Sequence, residues 1–345
     1  MTMQVRVVRP AELGISEEKR WRELQSAPPM AAHPCLSLTY ARAVCRADGN
    51  GRVAIVEDGG AIRAFIPFTV GDDGIATTLG GGQTGLDGLV SSDDPVDLRA
   101  VVRRAGLRGW RFSRAPAEQR SLDPYRYQGD RHWAEVRYAD MPSGYDDYVR
   151  ALPRGVARRI SRTEGYRRAL QREMGEVSLE WNSGDPSHLH LLLKWKSDQF
   201  ESVRRWLSNP SCRTLVRELA SSDDEDCSGV TSVLYAGARP LSIILSLRCG
   251  HILAPWILAY DPEHSRFSPG TIGWLALLKE AAARGVGRVD FGYGQDRYKQ
   301  WFGNSSYWVS GGGVWASRLG SAARSLYRRA RYRDRPRAHP RVPAG

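Results

Sequence analysis

The sequence predicts a mixed α/β protein built from two domains. Its 345 residues exceed the length of one average domain. Hydrophobic residues make up 41% and charged residues 26% of the chain, as in ordinary folded proteins. Segments rich in β-branched and aromatic residues alternate with segments of helical periodicity. These observations exclude disordered, collagen-like and coiled-coil proteins.

The first half is predicted to be an α/β unit. Strand-like residues 52–57 and 61–70 flank Asp58-Gly59-Gly60, which predicts a hairpin because glycines allow a tight reversal. The elements expected after this hairpin are a strand at 75–79, a helix at 95–105 and a strand at 109–113.

The second half is predicted to repeat this mixture. The expected helices are 188–207, 212–220, 269–284 and 297–302, and the expected strands are 230–235, 241–247, 252–259 and 288–291. Three adjacent strands followed by helix, strand and helix indicate a sheet whose last strand enters through a crossover. An arginine-rich helix after Pro153 marks the boundary between the halves. We therefore predict domains at 1–150 and 151–317, followed by an arginine-rich segment at 318–345.

The net charge of +12 is concentrated in two segments. Residues 150–172 carry eight arginines and one acidic residue, and residues 318–341 carry nine arginines and one acidic residue. The remainder is slightly acidic, which argues against a uniformly basic nucleic-acid coat. Residues 318–330 have the spacing of an amphipathic cationic helix, and the residues after them are expected to be a mobile tail. This tail is a candidate for contact with RNA or an anionic membrane surface.

Cysteine and histidine patterns predict no metal site. The five cysteines have wide spacings and form no CxxC pair, so neither a disulfide framework nor a zinc site is expected. The sequence contains no apolar stretch of membrane-spanning length and no recognisable signal peptide at its start. We therefore expect a cytoplasmic protein without a transmembrane segment.

The segment Ser268-Pro269-Gly270 precedes an apolar helix. Serine is a good N-cap, proline suits the first helical position, and glycine leaves the backbone open to approach. The amides of Gly270, Thr271 and Ile272 are predicted to form a phosphate site together with the helix dipole.

Polar side chains follow the next predicted strand. Asp290 closes this strand, and Asp296 is expected to cap a helix that carries Tyr298 and Lys299. The sequence leaves two interpretations open here. These side chains either converge on an active site, or the glycines serve turns and Lys299 is a solvated charge.

These residues give the chain a recognisable resemblance. The run Asp290–Gly303, with the pattern DxGxG-x3-YK-x2-FG, resembles the BioF2-like acyltransferases of the GNAT superfamily, which include the CelD proteins. Further similar segments are Tyr260-Asp261-Pro262, Arg266-Phe267-Ser268-Pro269-Gly270, His33-Pro34-Cys35-Leu36-Ser37, and residues 65–68, 79–81, 152–172 and 196–200. The resemblance extends over about residues 30–310.

The resemblance implies two tandem GNAT-like domains, related to the Fem-type transferases, with the active cleft in the second. It implies acetyl-CoA or another acyl-CoA as co-substrate, with its pyrophosphate near Arg266, Ser268 and the start of the Gly270 helix. The chain departs from the superfamily's phosphate loop because proline and threonine occupy its glycine positions. Pro269 lacks an amide donor.

The implied reaction is attack of an acceptor amine on an activated carbonyl. Asp290 and Asp296 are the candidate bases, Lys299 would stabilise the oxyanion, and Tyr298 would protonate the leaving group. The acceptor would be a small molecule or a cell-envelope precursor. Two alternatives remain: an aminoacyl-tRNA-dependent Fem-type transferase, and a non-catalytic protein that binds RNA or a membrane surface.

Overall fold

A computed structural model describes residues 3–27, 32–82, 85–91 and 95–317. The predicted cationic helix and tail at 318–345 lie outside these residues. The helices are α1 (Ile15–Gln25), α2 (Leu38–Asp48), α3 (Leu98–Arg104), α4 (Tyr145–Ala151), α5 (Arg154–Met174), α6 (Pro186–Gln199), α7 (Glu201–Ser208), α8 (Pro210–Ala220), α9 (Pro269–Ala283) and α10 (Arg297–Phe302). None of these helices is long and apolar enough to cross a membrane.

Within the described residues, fourteen strands form one mixed sheet. The strands are β1 (Gln4–Val8), β2 (Gly51–Asp58), β3 (Ala61–Val70), β4 (Ile75–Thr78), β5 (Val90–Ser91), β6 (Gly109–Pro116), β7 (Trp133–Asp140), β8 (Val177–Glu180), β9 (Asp223–Asp224), β10 (Cys227–Ala236), β11 (Arg239–Cys249), β12 (Ile252–Tyr260), β13 (Arg288–Asp290) and β14 (Ser305–Trp315). Their order is β1-β2-β3-β4-β6-β14-β7-β13-β12-β11-β10-β8, with β5 on β3 and β9 on β10.

The two halves exchange strands at the centre of this sheet. The last strand, β14, lies antiparallel between β6 and β7 of the first half. On its other side β7 pairs antiparallel with β13 of the second half. The outer partners on both flanks, β4 with β6 and β12 with β13, are parallel. The order β4-β6-β14-β7-β13-β12 therefore has the same pattern from either end.

The buried side chain of Arg126 holds β14 in its place beside β6. Its guanidinium donates to the carbonyl oxygens of Ala115 and Pro116 at 3.2 and 2.6 Å, at the end of β6. It also donates to the hydroxyl of Ser310 in β14 at 2.5 Å. Because a buried charge is costly without partners, these bonds tie β14 to β6.

The predicted mixed α/β class is confirmed, and so is the hairpin, which is formed by β2 and β3. The predicted helix 188–207 is divided at Phe200, whose backbone is extended, into α6 and α7. Strands β7 and β14 were not predicted. The predicted domain boundary at residue 150 falls at the end of α4. It stays a prediction, because β14 belongs to the predicted second domain but pairs with β7 of the predicted first domain.

Candidate active site

The parallel strands β12 and β13 separate after a short pairing. Ile252 pairs with Arg288 and Leu253 with Val289, but β12 continues to Tyr260. Among the described residues, no strand pairs with residues 254–260 on this side of β12. A strand edge of this kind presents backbone donors and acceptors to a ligand. We call this opening the β12–β13 fork.

Helix α9 begins beside the end of β12, with Pro269 at its first position as predicted. Ser268 differs from prediction, because it adopts a left-handed conformation with a φ of 55° and its side chain makes no capping hydrogen bond. The amides of Thr271 and Ile272 donate to the Ser268 carbonyl oxygen at 2.9 and 3.1 Å. The predicted trio of free amides is therefore corrected: two of them already close the first helical turn.

The other residues of the predicted donor site are held by neighbours. A Cβ atom on Gly270 would lie 3.0 Å from the ring of Tyr260, so glycine lets α9 pack on the end of β12. The Arg266 guanidinium pairs with Glu173 of α5 and lies 4.6 Å from the ring centre of Phe267. In the structure, the charge of Arg266 is therefore already paired with the carboxylate of Glu173.

Asp290 is buried at the end of β13, with 1% of its surface exposed. Its Oδ1 accepts from the Gly292 amide at 2.9 Å, and its Oδ2 accepts from the Tyr307 hydroxyl at 3.0 Å and from Arg288 at 3.1 Å. The Nε2 of buried His33 lies 4.0 Å from the same oxygen. Burial lowers the pKa of His33 to about 4, although the Asp290 charge acts in the opposite direction. Asp290 therefore holds the following loop in place.

Lys299 is buried beneath that loop. Its Nζ donates to the carbonyl oxygens of Tyr293 at 2.6 Å and Gly292 at 3.3 Å, and it lies 3.4 Å from Asp296 Oδ2. Burial lowers the pKa of Lys299, and the Asp296 charge partly offsets this. Asp296 occupies the predicted N-cap position of α10 without a capping hydrogen bond, and its side chain is 63% exposed. It is the accessible carboxylate of this cluster.

The ring of Tyr298 packs beneath α9, and Lys299 Nζ lies 5.8 Å from the ring centre. Its ring stacks on Trp274, with centroids 4.7 Å apart and an interplanar angle of 23°, and meets Phe291 edge-on at 6.0 Å. Burial raises the pKa of the Tyr298 phenol, so it stays protonated at neutral pH. The ring of Tyr298 thus contacts Trp274 and Phe291 and remains close to the ammonium group of Lys299.

Lys196 of α6 is a further member of this cluster. Burial lowers its pKa, the Asp296 charge raises it and the Lys299 charge lowers it. The α6 segment therefore brings a third ionisable group to the loop after β13. The sequence analysis matched residues 196–200 to the family but gave Lys196 no site role, because no spacing rule identifies a single helical lysine as a site residue.

The sequence match covers the part of the chain that contains this cluster. Residues 157–300 match the family model described as Acetyltransferase (GNAT) domain. We call these matched residues the GNAT domain. The β12–β13 fork, the start of α9 and the cluster around Asp296 all lie within these residues, so the candidate site belongs to the part of the chain that is similar to acetyltransferases. A search of curated proteins finds no significant sequence match.

Solved structures extend the similarity to both halves. FemX matches with a TM-score of 0.61 and 10% identity, covering 94% of this chain and 100% of that one. A tandem GNAT protein from the clavulanic acid biosynthesis pathway matches with a TM-score of 0.53 and 12% identity, covering 92% and 99%. The C-terminal domain of an Agrobacterium fabrum protein described as a lysylphosphatidylglycerol synthetase gives 0.50 and 13% identity, covering 90% and 94%. The chain therefore shares its overall fold with FemX and with this tandem GNAT protein.

Proposed function

We propose that this protein is an N-acyltransferase that transfers an acyl group, acetyl from acetyl-CoA, to an amine of a small molecule or cell-envelope precursor in the cytoplasm. The observation that carries the proposal is the β12–β13 fork inside the GNAT domain. It combines an unpaired strand edge at 254–260 with the positive end of α9.

The donor would extend along the free edge of β12 by backbone hydrogen bonding. Its phosphates would lie near Arg266, Ser268 and the amide of Gly270, because Thr271 and Ile272 donate to Ser268. This leaves fewer backbone donors than a glycine-rich loop supplies, so the GNAT domain would bind the diphosphate weakly. Arg266 would exchange Glu173 for the phosphate when the donor binds.

The chemistry requires one proton to leave the acceptor and one to reach the leaving group. The acceptor nitrogen attacks the thioester carbon, a C–N bond forms and the C–S bond breaks. Asp296 is the exposed carboxylate that can orient the ammonium or accept its proton, and buried Asp290 keeps its loop in place. Tyr298 remains protonated and is our candidate donor to the thiolate, and Lys299 is our candidate to stabilise the oxyanion.

A second candidate is transfer from aminoacyl-tRNA. The exposed arginines Arg154, Arg158, Arg168 and Arg172 recur at helical spacing along one face of α5, and none has a salt bridge among the described residues. They extend over about 27 Å at 1.5 Å per residue. A row of exposed cations that form no salt bridge within the described part of the chain suits phosphate contacts and predicts binding that weakens steeply with salt.

The deciding experiment compares donors. Thermal unfolding would be followed with acetyl-CoA, longer acyl-CoA thioesters, desulfo-CoA and charged tRNAs, each at 50 and 200 mM salt. A saturating donor at 100 times its Kd should stabilise the protein by about 2.7 kcal/mol. Stabilisation by acetyl-CoA alone supports the first candidate, and salt-sensitive stabilisation by charged tRNA supports the second. Absence of any shift contradicts both.

Variants on two surfaces sharpen this comparison. Thr271→Glu introduces a negative charge at the start of α9 and should weaken acyl-CoA binding at least tenfold, whereas Lys279→Glu on the exposed side of the same helix should not. Arg158→Gln with Arg168→Gln should weaken tRNA binding and reduce its salt dependence, without changing acyl-CoA binding.

A further inference from the structure

A second opening lies where the parallel strands of the first half end. β4 and β6 pair only from Ile75 with Gly109 to Thr77 with Arg111, whereas β14 pairs with the other edge of β6 as far as Pro116. A cleft of about 880 Å³ opens at this point, between the ends of β4 and β6 and the segment that leads into β7. We call it the β4–β6 cleft. Its volume suits a small-molecule ligand, and its position corresponds to that of the β12–β13 fork in the strand order.

The walls of the β4–β6 cleft are positively charged. Arg111 and Arg114 come from β6, and Arg131 and His132 come from the turn before β7. The residues that line the cleft in the described part of the chain include no aspartate or glutamate. Three guanidinium groups around one concave surface focus a positive potential, which attracts anions and repels free cations.

Flat aromatic surfaces accompany these charges. The ring of Tyr127 lies 5.1 Å from that of His132, and the Arg114 guanidinium lies 5.4 Å from the ring centre of Tyr293. Tyr293 is 54% exposed although it is a large aromatic residue. Exposed aromatic faces beside guanidinium groups can hold a planar group by stacking. The lining therefore suits a ligand with a negative group and a flat ring.

Tyr293 connects the cleft with the candidate active site. Its side chain lines the cleft, while its carbonyl oxygen accepts the hydrogen bond from Lys299 Nζ at 2.6 Å. Asp296 follows three residues later and contacts the same ammonium group at 3.4 Å. A molecule in the cleft that reaches past Tyr293 thus arrives at the ionisable cluster of the GNAT domain.

We propose that the β4–β6 cleft binds the acceptor, and that this acceptor is an anion, a carboxylate or phosphate, that also carries a flat ring and an amine. The arginines bind the negative group, the tyrosines hold the ring, and the amine extends past Tyr293 toward Asp296. This assignment of an acceptor rests on the proposed acyltransferase function.

The first test measures binding without any donor. Calorimetry with phenyl phosphate, benzoate and benzylamine distinguishes phosphate, carboxylate and cationic ligands of similar shape. We expect one of the anions to bind and benzylamine to bind at least tenfold more weakly. The double variant Arg111→Gln/Arg131→Gln should weaken the anion at least tenfold, whereas Arg104→Gln, an exposed arginine of α3 outside the cleft, should not. Equal binding of benzylamine, or anion binding that ignores the double variant, would overturn the proposal.

The second test adds the donor. With the donor identified by stabilisation, acylation of 4-(aminomethyl)benzoate should exceed that of benzylamine at least tenfold, and the double variant should abolish the preference while donor binding is unchanged. A preference that survives in the double variant overturns the cleft assignment. Anion binding in the cleft without transfer from any donor instead contradicts the proposed acyltransferase function, so the two failures are distinguishable.

Discussion

The ring of Tyr298 lies on the ring of Trp274, with 4.7 Å between the centroids. Trp274 belongs to the second turn of α9, and Tyr298 to the short helix that follows β13. This stack joins the loop after β13 to the beginning of the helix beside the β12–β13 fork. It gives Tyr298 a packing role that is separable from its hydroxyl group.

The hydroxyl is tested by Tyr298→Phe, which keeps the stack and removes the proton donor. We expect an unchanged melting temperature and a kcat that falls by at least about 100-fold, because general acid catalysis typically contributes that much or more. Tyr298→Ala is the comparison, and loss of the ring should reduce stability by about 3 kcal/mol. Full activity in the phenylalanine variant would assign Tyr298 to packing alone.

Lys299→Met tests the anchoring of the loop. The variant leaves the carbonyl oxygens of Gly292 and Tyr293 without their ammonium donor, so stability should fall by about 1–3 kcal/mol. Amide hydrogen exchange should accelerate across residues 292–296. Lys279→Met, at an exposed position of α9, should change stability by less than about 0.5 kcal/mol. Equal exchange in the two variants would contradict an anchoring role.

Lys196→Met tests the cost of the buried ammonium. Burial lowers the pKa of Lys196 in the folded state, so the unfolded chain binds more protons between that pKa and 10.5, and stability rises with pH in this window. Removing the charge should flatten the rise and leave the protein at least as stable at pH 7. Urea unfolding from pH 7 to pH 10 measures this. Lys194→Met, at the exposed Lys194–Asp198 pair, should retain the rise.

His33→Asn tests acid sensitivity. Because His33 has a pKa of about 4 when folded against 6.5 when unfolded, the unfolded chain binds the extra proton between these values. Its contribution to stability is present above pH 6.5 and is lost as the pH falls to 4, by about 3 kcal/mol in total. Asparagine can still accept from the Cys35 amide, as Nδ1 does at 3.2 Å. Urea unfolding at pH 7 and pH 4.5 should show a smaller loss in this variant than in His190→Asn, an exposed control.

Local sequence signals predicted most of the second half, because its strands and helices are bounded by glycine, proline and charged residues. They missed β14, whose glycines at 311–313 argue against a strand. The structure explains one of them: a Cβ atom on Gly312 would lie 2.1 Å from the ring of Phe112 in β6. That requirement comes from a strand about two hundred residues earlier, so no local pattern contains it.

The candidate site likewise combines residues that the sequence identified with contacts that it could not predict. Asp290, Asp296, Tyr298 and Lys299 fall within one short segment, and the resemblance of that segment to the BioF2-like acyltransferases selected them. Their different roles depend on distant partners, such as Trp274 for Tyr298 and His33 and Tyr307 for Asp290. Lys196 joins them only because α6 packs on β12, which no sequence period encodes.

The central place of β14 constrains how the chain acquires its fold during translation. Until residues 305–315 have left the ribosome, β6 and β7 lack the strand that lies between them. A nascent chain that ends before this point presents two unpaired strand edges, which are sites for wrong pairing with other chains. Completion of the first half therefore waits for synthesis of the whole GNAT domain, and truncation before residue 305 should yield aggregated rather than half-sized folded protein.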